Sequence, residues 1–218
     1  MIEITVRDGL GARITTLANA LSSGETVAFG WAVNDHCPLP HETVFPNGIE
    51  GVAFTRPEGD CYFTDWNSKP FFSWDGAADR GLADAAYARI MAAMAGVESG
   101  CFQVGICGRF LRNPQALPMP LADAAAKAAK DIGAGEVFLL ADDFRNTIAW
   151  RLENHGIQTI TASCPQLAAD LDRDHLGTYL FLHDWKTLLA CQTIVAINGP
   201  TCLLNPARAA GRKIIYAP

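Results

Sequence analysis

The chain has 218 residues, half of them hydrophobic, and a formal net charge of −6. This composition is sufficient for a sizeable core, in one large domain or two small ones, and excludes a disordered chain. The acidic balance excludes a broad nucleic-acid-binding face, which needs clustered Lys and Arg. Any anion-binding site must therefore be confined to a small part of the surface.

The seven cysteines are odd in number and show no CxxC or other metal-ligand spacing. We therefore expect buried, reduced thiols and no bound metal. Residues 1–7 alternate like a strand and include Glu3, which is not typical of a signal peptide. The apolar runs are shorter than the ~20 residues of a membrane span. These features predict a cytoplasmic protein with no membrane span and no nucleic-acid partner, of undetermined oligomeric state.

The first half begins as a short β-α-β unit. The sequence predicts, in chain order, a strand at 2–6, a helix up to about 22, strands at 26–31 and 49–55, and a helix at 83–95. Residues 33–79 are rich in Pro, Gly, Asn and aromatic residues, so most of this stretch is expected to be ordered loop. The segment 96–100 is the predicted linker, which sets a first domain at 1–98 and a second at 99–218.

The second half alternates more regularly. Strands are predicted at 102–107, 136–141, 157–161, 193–197 and 213–216, with helices at 121–132, 144–155, 183–191 and 203–210 between them. Strands separated by helices of this length predict a parallel, doubly wound sheet in an α/β fold.

Three polar groups follow strands of this predicted sheet. Arg109 ends the first strand, Asp142 and Asp143 follow the second, and the turn Asn198-Gly-Pro-Thr-Cys202 follows the strand at 193–197. Ligands of doubly wound sheets bind outside the carboxyl ends of the strands. A guanidinium and a small-residue turn before a helix both suit phosphate. The alternative interpretations are that Arg109 is an ordinary surface arginine, that Asp142 and Asp143 cap the following helix, and that Asn198-Gly-Pro-Thr-Cys202 is an ordinary turn.

The first half offers two weaker signals. Gly9, Gly11 and Arg13 form a glycine-containing turn between a strand and a helix, suited either to a ligand or to close packing. Asp35 and His36 lie in the following loop with His41 close by, and all three are candidates for acid–base work. Isolated loop histidines are more often neither metal ligands nor bases.

These motifs resemble those of bacterial fucosyltransferase-like glycosyltransferases, the group of the nodulation α-1,6-fucosyltransferases and the O-fucosyltransferase superfamily. In the first half the similarity lies in Gly9-Leu-Gly-Ala-Arg13, Leu17-Ala-Asn-Ala-Leu21, Trp31-Ala-Val-Asn-Asp-His-Cys37 and Phe45. In the second half it lies in Val104-Gly-Ile-Cys-Gly-Arg109, Phe138-Leu-Leu-Ala-Asp-Asp143, Asp184-Trp-Lys-Thr-Leu-Leu-Ala-Cys191 and Asn198-Gly-Pro-Thr-Cys202.

The resemblance implies a GT-B-like fold of two Rossmann-like halves with mainly parallel sheets, the first facing a saccharide acceptor and the second holding a GDP-sugar. It implies metal-independent, inverting transfer of a sugar, with fucose favoured, and no cofactor besides the GDP-sugar co-substrate. Arg109 would contact the donor β-phosphate and stabilise charge on the leaving GDP. Asp35 and His36 would be the candidates for catalytic base. Substrate contacts would come from Gly9, Gly11, Arg13, Arg112, Asp142, Asp143, Asp184, Thr201 and Cys202.

The sequence departs from the family pattern inside its strongest motif. Cys107 stands where the family has a histidine, Phe110 replaces a second arginine, and Arg112 replaces an acidic residue. Ala12 replaces an asparagine in the first turn, and Thr201-Cys202 replaces a serine pair. Two alternatives to an active glycosyltransferase therefore remain. One is a catalytically degenerate protein that binds a nucleotide sugar or glycan, and the other is a structural or interaction protein of the same α/β class.

Overall fold

The computed structural model describes residues 1–6, 9–34, 37–57, 80–95, 102–108, 118–141, 144–161, 173–197 and 202–217. It divides into two compact units, the first comprising residues 1–95 and 201–210 and the second residues 96–200 and 211–218. The sequence division at 98 and 99 differs from this one, because residues 201–210 pack with the first unit. Among the described helices, none is long and apolar enough to cross a membrane.

The strands are β1 (Ile2–Val6), β2 (Val27–Trp31), β3 (Val52–Thr55), β4 (Val104–Gly108), β5 (Glu136–Ala141), β6 (Gln158–Ile160), β7 (Thr193–Ile197) and β8 (Lys213–Ala217). The helices are α1 (Leu10–Leu21), α2 (His41–Val44), α3 (Arg80–Ala93), α4 (Pro118–Asp131), α5 (Arg145–Asn154), α6 (Arg173–Ala190) and α7 (Asn205–Ala209). A 3₁₀ turn, Cys202–Leu204, leads directly into α7.

The first unit is built on a parallel three-stranded sheet in the order β1-β2-β3. Every residue of α1 is buried, and α1 packs against β1, β2, α3 and the segment from Cys202 to Ala209. Because α1 is covered on all sides, its polar residues are shielded from water. An aromatic cluster of Phe29, Trp31, Phe45 and Phe54 fills the space between β2, β3 and the loop before β3.

The second unit is built on a parallel five-stranded sheet in the order β6-β5-β4-β7-β8. On one face, α4 places four alanines against the apolar side chains of β4, β5 and β7. These alanines are Ala122, Ala125, Ala126 and Ala129, which repeat with helical periodicity and lie on one stripe. Burial on both faces explains why these strands are continuous apolar runs.

The opposite face of this sheet is covered by α6. At Gly105 the helix lies very close to β4, because a Cβ added there would lie 2.6 Å from Leu188 Cδ1 and 3.0 Å from Cys191 Sγ. Burial raises the pKa of the Cys191 thiol to about 12. This thiol is therefore a packing group of the core at neutral pH.

The predicted α/β class with mainly parallel sheets is confirmed, and β1, β5 and β7 have their predicted bounds. The largest differences from the prediction are in two helices. The helix α6 begins at Arg173 instead of at 183, because Gly177 weakens the local helical pattern over its first half. The short helix α2 follows Pro40 inside a predicted loop, where four residues are too few to show periodicity.

We expect Gly105→Ala to lower the free energy of unfolding by about 1–3 kcal/mol, because the new methyl group must displace Leu188 in a packed core. Urea denaturation measures the change. The matched control is Gly135→Ala, since a Cβ at Gly135 meets nothing within 4 Å. Equal effects of the two substitutions would contradict the close packing of α6 on β4.

The helices α4 and α5 are joined by an ion pair on their outer side. Arg151 donates from Nε to Asp123 Oδ1 at 2.5 Å and from its second terminal nitrogen to Oδ2 at 2.9 Å. His155 Nε2 lies 2.7 Å from the same carboxylate. The hydrogen bonds from Arg151, and then the one from His155, lower the pKa of Asp123 from 3.8 to about 2.

A carboxyl group whose pKa is lowered by folding stabilises the protein above its unfolded pKa and loses that contribution as pH falls through the folded value. We therefore expect Asp123→Asn to be less stable than the wild type at pH 7, with the difference shrinking as pH falls from 3.8 towards about 2. Urea denaturation at a series of pH values checks this, with Asp131→Asn, an exposed position on the same helix, as control. If the free energies of unfolding of the wild type and of Asp123→Asn change with pH in parallel, the ion pair does not contribute to stability.

Candidate functional site

The strand order of the second sheet reverses at its centre. From β4 the chain moves outward to β5 and β6, and it then returns past β4 to form β7 and β8 on the other side. The connection that follows β4 leads to one side of the sheet and the connection that follows β7 leads to the other. In doubly wound sheets, connections that diverge in this way form a crevice between the two strand ends. This switch point is the place where doubly wound sheets bind their ligands.

The register of the sheet aligns the last residues of three strands. Gly108 of β4 pairs with Ala141 of β5 on one side and with Ile197 of β7 on the other. The chain continues from these aligned positions into the segments with the predicted donor contacts. Those residues, Arg109, Arg112, Asp142, Asp143 and Thr201, lie outside the described residues, so their roles stay predictions.

A cavity of about 380 Å³ lies at the carboxyl end of β5 and is lined by Ala141, Phe144, Arg145, Asn146 and Thr147. The last four form the N-terminus of α5, where the first backbone N–H groups have no partner within the helix. Phe144 caps this helix without a side-chain hydrogen bond and has a positive φ of 57°. Among the described residues it is the one non-glycine residue with positive φ. The N–H groups and helix dipole make the cavity suitable for an anionic or polar ligand group.

Asp184 lies on α6 and is 9% exposed, beside the buried residues His183 and Thr187. Cys107, which stands at the family's histidine position, is 2% exposed near the end of β4. Since side chains alternate along a strand, Cys107 shares the α6-facing side of the sheet with Gly105. The donor-site role of Asp184 stays a prediction.

In the first unit, the predicted glycine turn begins α1. Gly9 is the N-cap, and its carbonyl accepts hydrogen bonds from the N–H groups of Ala12 and Arg13 at 3.1 and 3.2 Å. Gly11 lies against the 3₁₀ turn, because a Cβ there would lie 2.8 Å from Leu203 Cδ2 and 3.1 Å from Cys202 Sγ. Gly11 is thus closely packed in the first unit, and its predicted contact with substrate stays a prediction.

Arg13 is fully buried at the carboxyl edge of the first sheet. It donates hydrogen bonds to the carbonyl of Ala32 at 2.5 Å and to Asn34 Oδ1 at 3.2 Å. Its guanidinium carbon also lies 4.9 Å from the centre of the Trp31 ring, a cation–π contact. The guanidinium therefore orients the loop after β2, and the predicted contact of Arg13 with substrate stays untested.

The loop that Arg13 holds is closed by Asn34 and Cys37. Their backbones exchange hydrogen bonds of 3.2 and 3.0 Å, and Asn34 Oδ1 also accepts from the Cys37 N–H at 3.0 Å. Burial raises the pKa of the Cys37 thiol, and the nearby Arg13 charge opposes that shift. The candidate bases Asp35 and His36 come between these residues and lie outside the described part of the chain.

His41, the third candidate base, begins α2. Its ring stacks on Phe54 with centroids 4.7 Å apart, and its Nδ1 lies 3.2 Å from Glu42 Oε2. Glu42 also pairs with Arg56 at 2.6 Å. Burial lowers the pKa of His41, while the Glu42 charge opposes the shift. A largely neutral imidazole at pH 7 is able to accept a proton.

In the first unit Gly11 lies against Cys202, and Asp184 belongs to the second unit. The sequence interpretation gave no role to Asn34 in holding the loop after β2, and none to the N-terminus of α5 as the lining of a cavity. The spacing from Trp31 to Asn34 was a usable signal, whereas nothing local predicted the conformation of Phe144. No group of three or more His, Cys, Asp and Glu side chains able to hold a metal ion occurs in the part of the chain that is described.

The fold is that of GT-B-like fucosyltransferases, with parallel α/β units. The chain is similar to a crystal structure of NodZ alpha-1,6-fucosyltransferase soaked with GDP-fucose, with a TM-score of 0.59 and 16% sequence identity over 95% of this chain and 91% of that one. It is also similar to the apo form of POFUT1, with a TM-score of 0.53 and 11% identity over 99% and 97% of the two chains. No protein-family model and no curated protein matches the sequence. The resemblance seen in the sequence is thus confirmed as a likeness of fold.

We expect Arg13→Met to lower the free energy of unfolding by about 1–3 kcal/mol, because it leaves the half-buried Ala32 carbonyl without its donor. Urea denaturation measures the loss. The control is Arg56→Met, where the arginine side chain is 70% exposed and its ion pair contributes less than about 1 kcal/mol. If Arg13→Met costs no more than this control, Arg13 does not hold the loop.

Proposed function

We propose that this protein transfers a sugar, with fucose favoured, from a GDP-sugar to a saccharide hydroxyl. The proposed reaction inverts the anomeric carbon and needs no metal ion or further cofactor. The proposal is supported by a glycosyltransferase-like fold and by the motifs that resemble those of fucosyltransferases. The NodZ crystal was soaked with GDP-fucose, which is the reason for placing GDP-fucose first among the donors to be tested.

The observation that carries the proposal is the register of the second sheet at its switch point. Gly108, Ala141 and Ile197 are aligned neighbours, and each is followed directly by one of the three segments that were expected to bind the donor. The sequence supplied the three segments separately, and the strand order makes their starting points adjacent. The cavity at the N-terminus of α5 adjoins one of these points, since Ala141 lines it.

The proposed chemistry is a single displacement. The bond between the anomeric carbon and the GDP oxygen breaks as a bond from the acceptor oxygen to the same carbon forms. The acceptor proton passes to a base, and GDP leaves with the bonding electrons. Negative charge therefore grows on the diphosphate, where Arg109 and helix N-termini would stabilise it most. Asp35 and His36 remain the proposed candidates for the base, with His41 as the third.

A second candidate function is suggested by Cys107. A histidine at this position would offer a hydrogen bond to a donor phosphate, whereas a thiol that is 2% exposed is a weak donor. A protein that binds the nucleotide sugar without transferring it is consistent with this exchange. Incubation with GDP-fucose separates the two candidates, because only the enzyme releases GDP by transfer or hydrolysis.

We expect GDP and GDP-fucose to raise the melting temperature of the wild type, while UDP and UDP-sugars raise it less. A ligand at about 100 times its dissociation constant adds about 2.7 kcal/mol to the stability of the folded state. Differential scanning fluorimetry over a ligand series measures the shift. An unchanged melting temperature with every nucleotide would favour the structural or interaction protein.

We expect Arg109→Ala to weaken GDP binding by at least about tenfold, because a charge-assisted phosphate contact is worth about 1.5–3 kcal/mol. Isothermal titration calorimetry with GDP measures the affinity. Arg212→Ala, which removes the same charge from an exposed position before β8, is the matched control. Equal affinities of the wild type and Arg109→Ala would show that Arg109 does not hold the diphosphate.

A further inference from the structure

Trp150 is an exposed tryptophan on α5, in the second unit. It is 54% exposed, whereas the other two tryptophans in the described part of the chain, Trp31 and Trp185, are at most 1% exposed. A single exposed apolar side chain is common on protein surfaces and does not by itself indicate a function. The polar residues around Trp150 are the feature that does.

Three exposed polar residues share the helix face of Trp150. Asn146 and Asn154 lie four residues before and after it, and Glu153 lies three residues after it. Residues at these spacings are neighbours on the surface of a helix. Among the described residues, none forms a hydrogen bond or an ion pair with these four side chains. Their polar groups are therefore available to a ligand from solvent.

The helix that carries this face is held firmly in the second unit. On its inner side Ile148 and Leu152 are fully buried in the core. On its flank Arg151 forms the ion pair with Asp123 of α4. A ligand that binds the exposed face therefore does not have to order the backbone beneath it, which removes one cost of binding.

An indole beside two carboxamides and a carboxylate matches the chemistry of a saccharide. The C–H groups on the face of a pyranose ring are apolar and pack on an aromatic ring, while the hydroxyl groups at its edge need donors and acceptors. An asparagine supplies both, and a glutamate accepts. A protein partner matches less well, because the core of a protein interface is depleted of charged residues.

The row of side chains is longer than one sugar ring. From Asn146 to Asn154 it extends about 12 Å, because a helix rises about 1.5 Å per residue. Asn146 also lines the cavity of about 380 Å³ at the beginning of α5. A ligand that follows the row therefore contacts the protein through more than one sugar unit.

We propose that the face of α5 formed by Asn146, Trp150, Glu153 and Asn154 binds a neutral oligosaccharide, with one pyranose ring stacked on Trp150. Sugar units whose hydroxyl groups are all equatorial fit best, because both faces of such a ring carry only C–H groups. The inference does not require that the protein transfers a sugar, so it stands apart from the proposed function.

The first test is a titration of the full chain followed by NMR of the indole N–H groups of its five tryptophans. The signal of Trp150 is the one that disappears in Trp150→Phe. The probe is cellotetraose, a short chain of glucose units with equatorial hydroxyl groups. Sorbitol, which has hydroxyl groups but no ring face, is the control, and glucose and GDP are titrated in parallel.

We expect cellotetraose to shift the Trp150 signal with saturation, and to bind at least about tenfold more tightly than glucose because it contacts the whole row. Sorbitol should leave the signal unchanged. This comparison separates stacking on a ring face from a general effect of polyols on the surface.

The second test measures the affinity for cellotetraose of variants by calorimetry. Trp150→Ala should raise the dissociation constant at least about tenfold, and Asn154→Ala about threefold. Tyr216→Ala is the matched control, because it removes another exposed aromatic ring of the second unit, 43% exposed on β8. It should stay within about twofold of the wild type. If Trp150→Ala does not fold, Trp150→Phe and Asn154→Ala still test the row.

Three results would overturn the inference. The first is the absence of a saturable shift of Trp150 with cellotetraose, and the second is an equal loss of affinity in Tyr216→Ala. The third is a shift of Trp150 with GDP and none with cellotetraose, which would assign the indole to a nucleotide base. Each of them leaves the proposed function to be decided by the GDP affinity of Arg109→Ala and by the release of GDP from GDP-fucose.

Discussion

The pairing of β4 with β7 is the constraint on which the second unit and its candidate site depend. These strands are far apart in sequence, yet five consecutive residues of each are in register, from Val104 with Thr193 to Gly108 with Ile197. Because of this pairing β4 lies at the centre of the sheet, with β5 and β6 on one side and β7 and β8 on the other. A sheet that grew in one direction only would place the three polar segments along one continuous edge, without a crevice between divergent connections.

Close backbone approach at two glycines keeps the covering elements in their places. At Gly105 the absence of a side chain lets α6 cover β4 closely, and at Gly11 it lets the segment after β7 rest on α1. Neither glycine is needed for a turn or for an unusual φ. Both mark contacts in which a methyl group would push apart two buried surfaces, so packing and not chain reversal accounts for them.

The polar interior of the first unit is arranged around α1. Arg13 and Thr15 are fully buried, and each directs its hydrogen bonds to a different segment: the loop after β2 and the segment that begins α7. A buried polar group contributes little net stability when it is bonded and costs much when it is not. Such groups therefore select one arrangement of loops and helices.

The sequence by itself determined the alternating elements, the parallel α/β class and the polar segments at strand ends, because apolar runs, helix periodicity and glycine boundaries are local properties. It also pointed to Arg13 as a substrate contact, which stays a prediction, and the buried link from Arg13 to Asn34 was found in the structure. Only the tertiary structure decided the strand order, the membership of residues 201–210 in the first unit, and the partner of Thr15. That partner, Asn205, lies 190 residues away. Contacts at such separations depend on which surfaces fit one another, and no local pattern of residues records that fit.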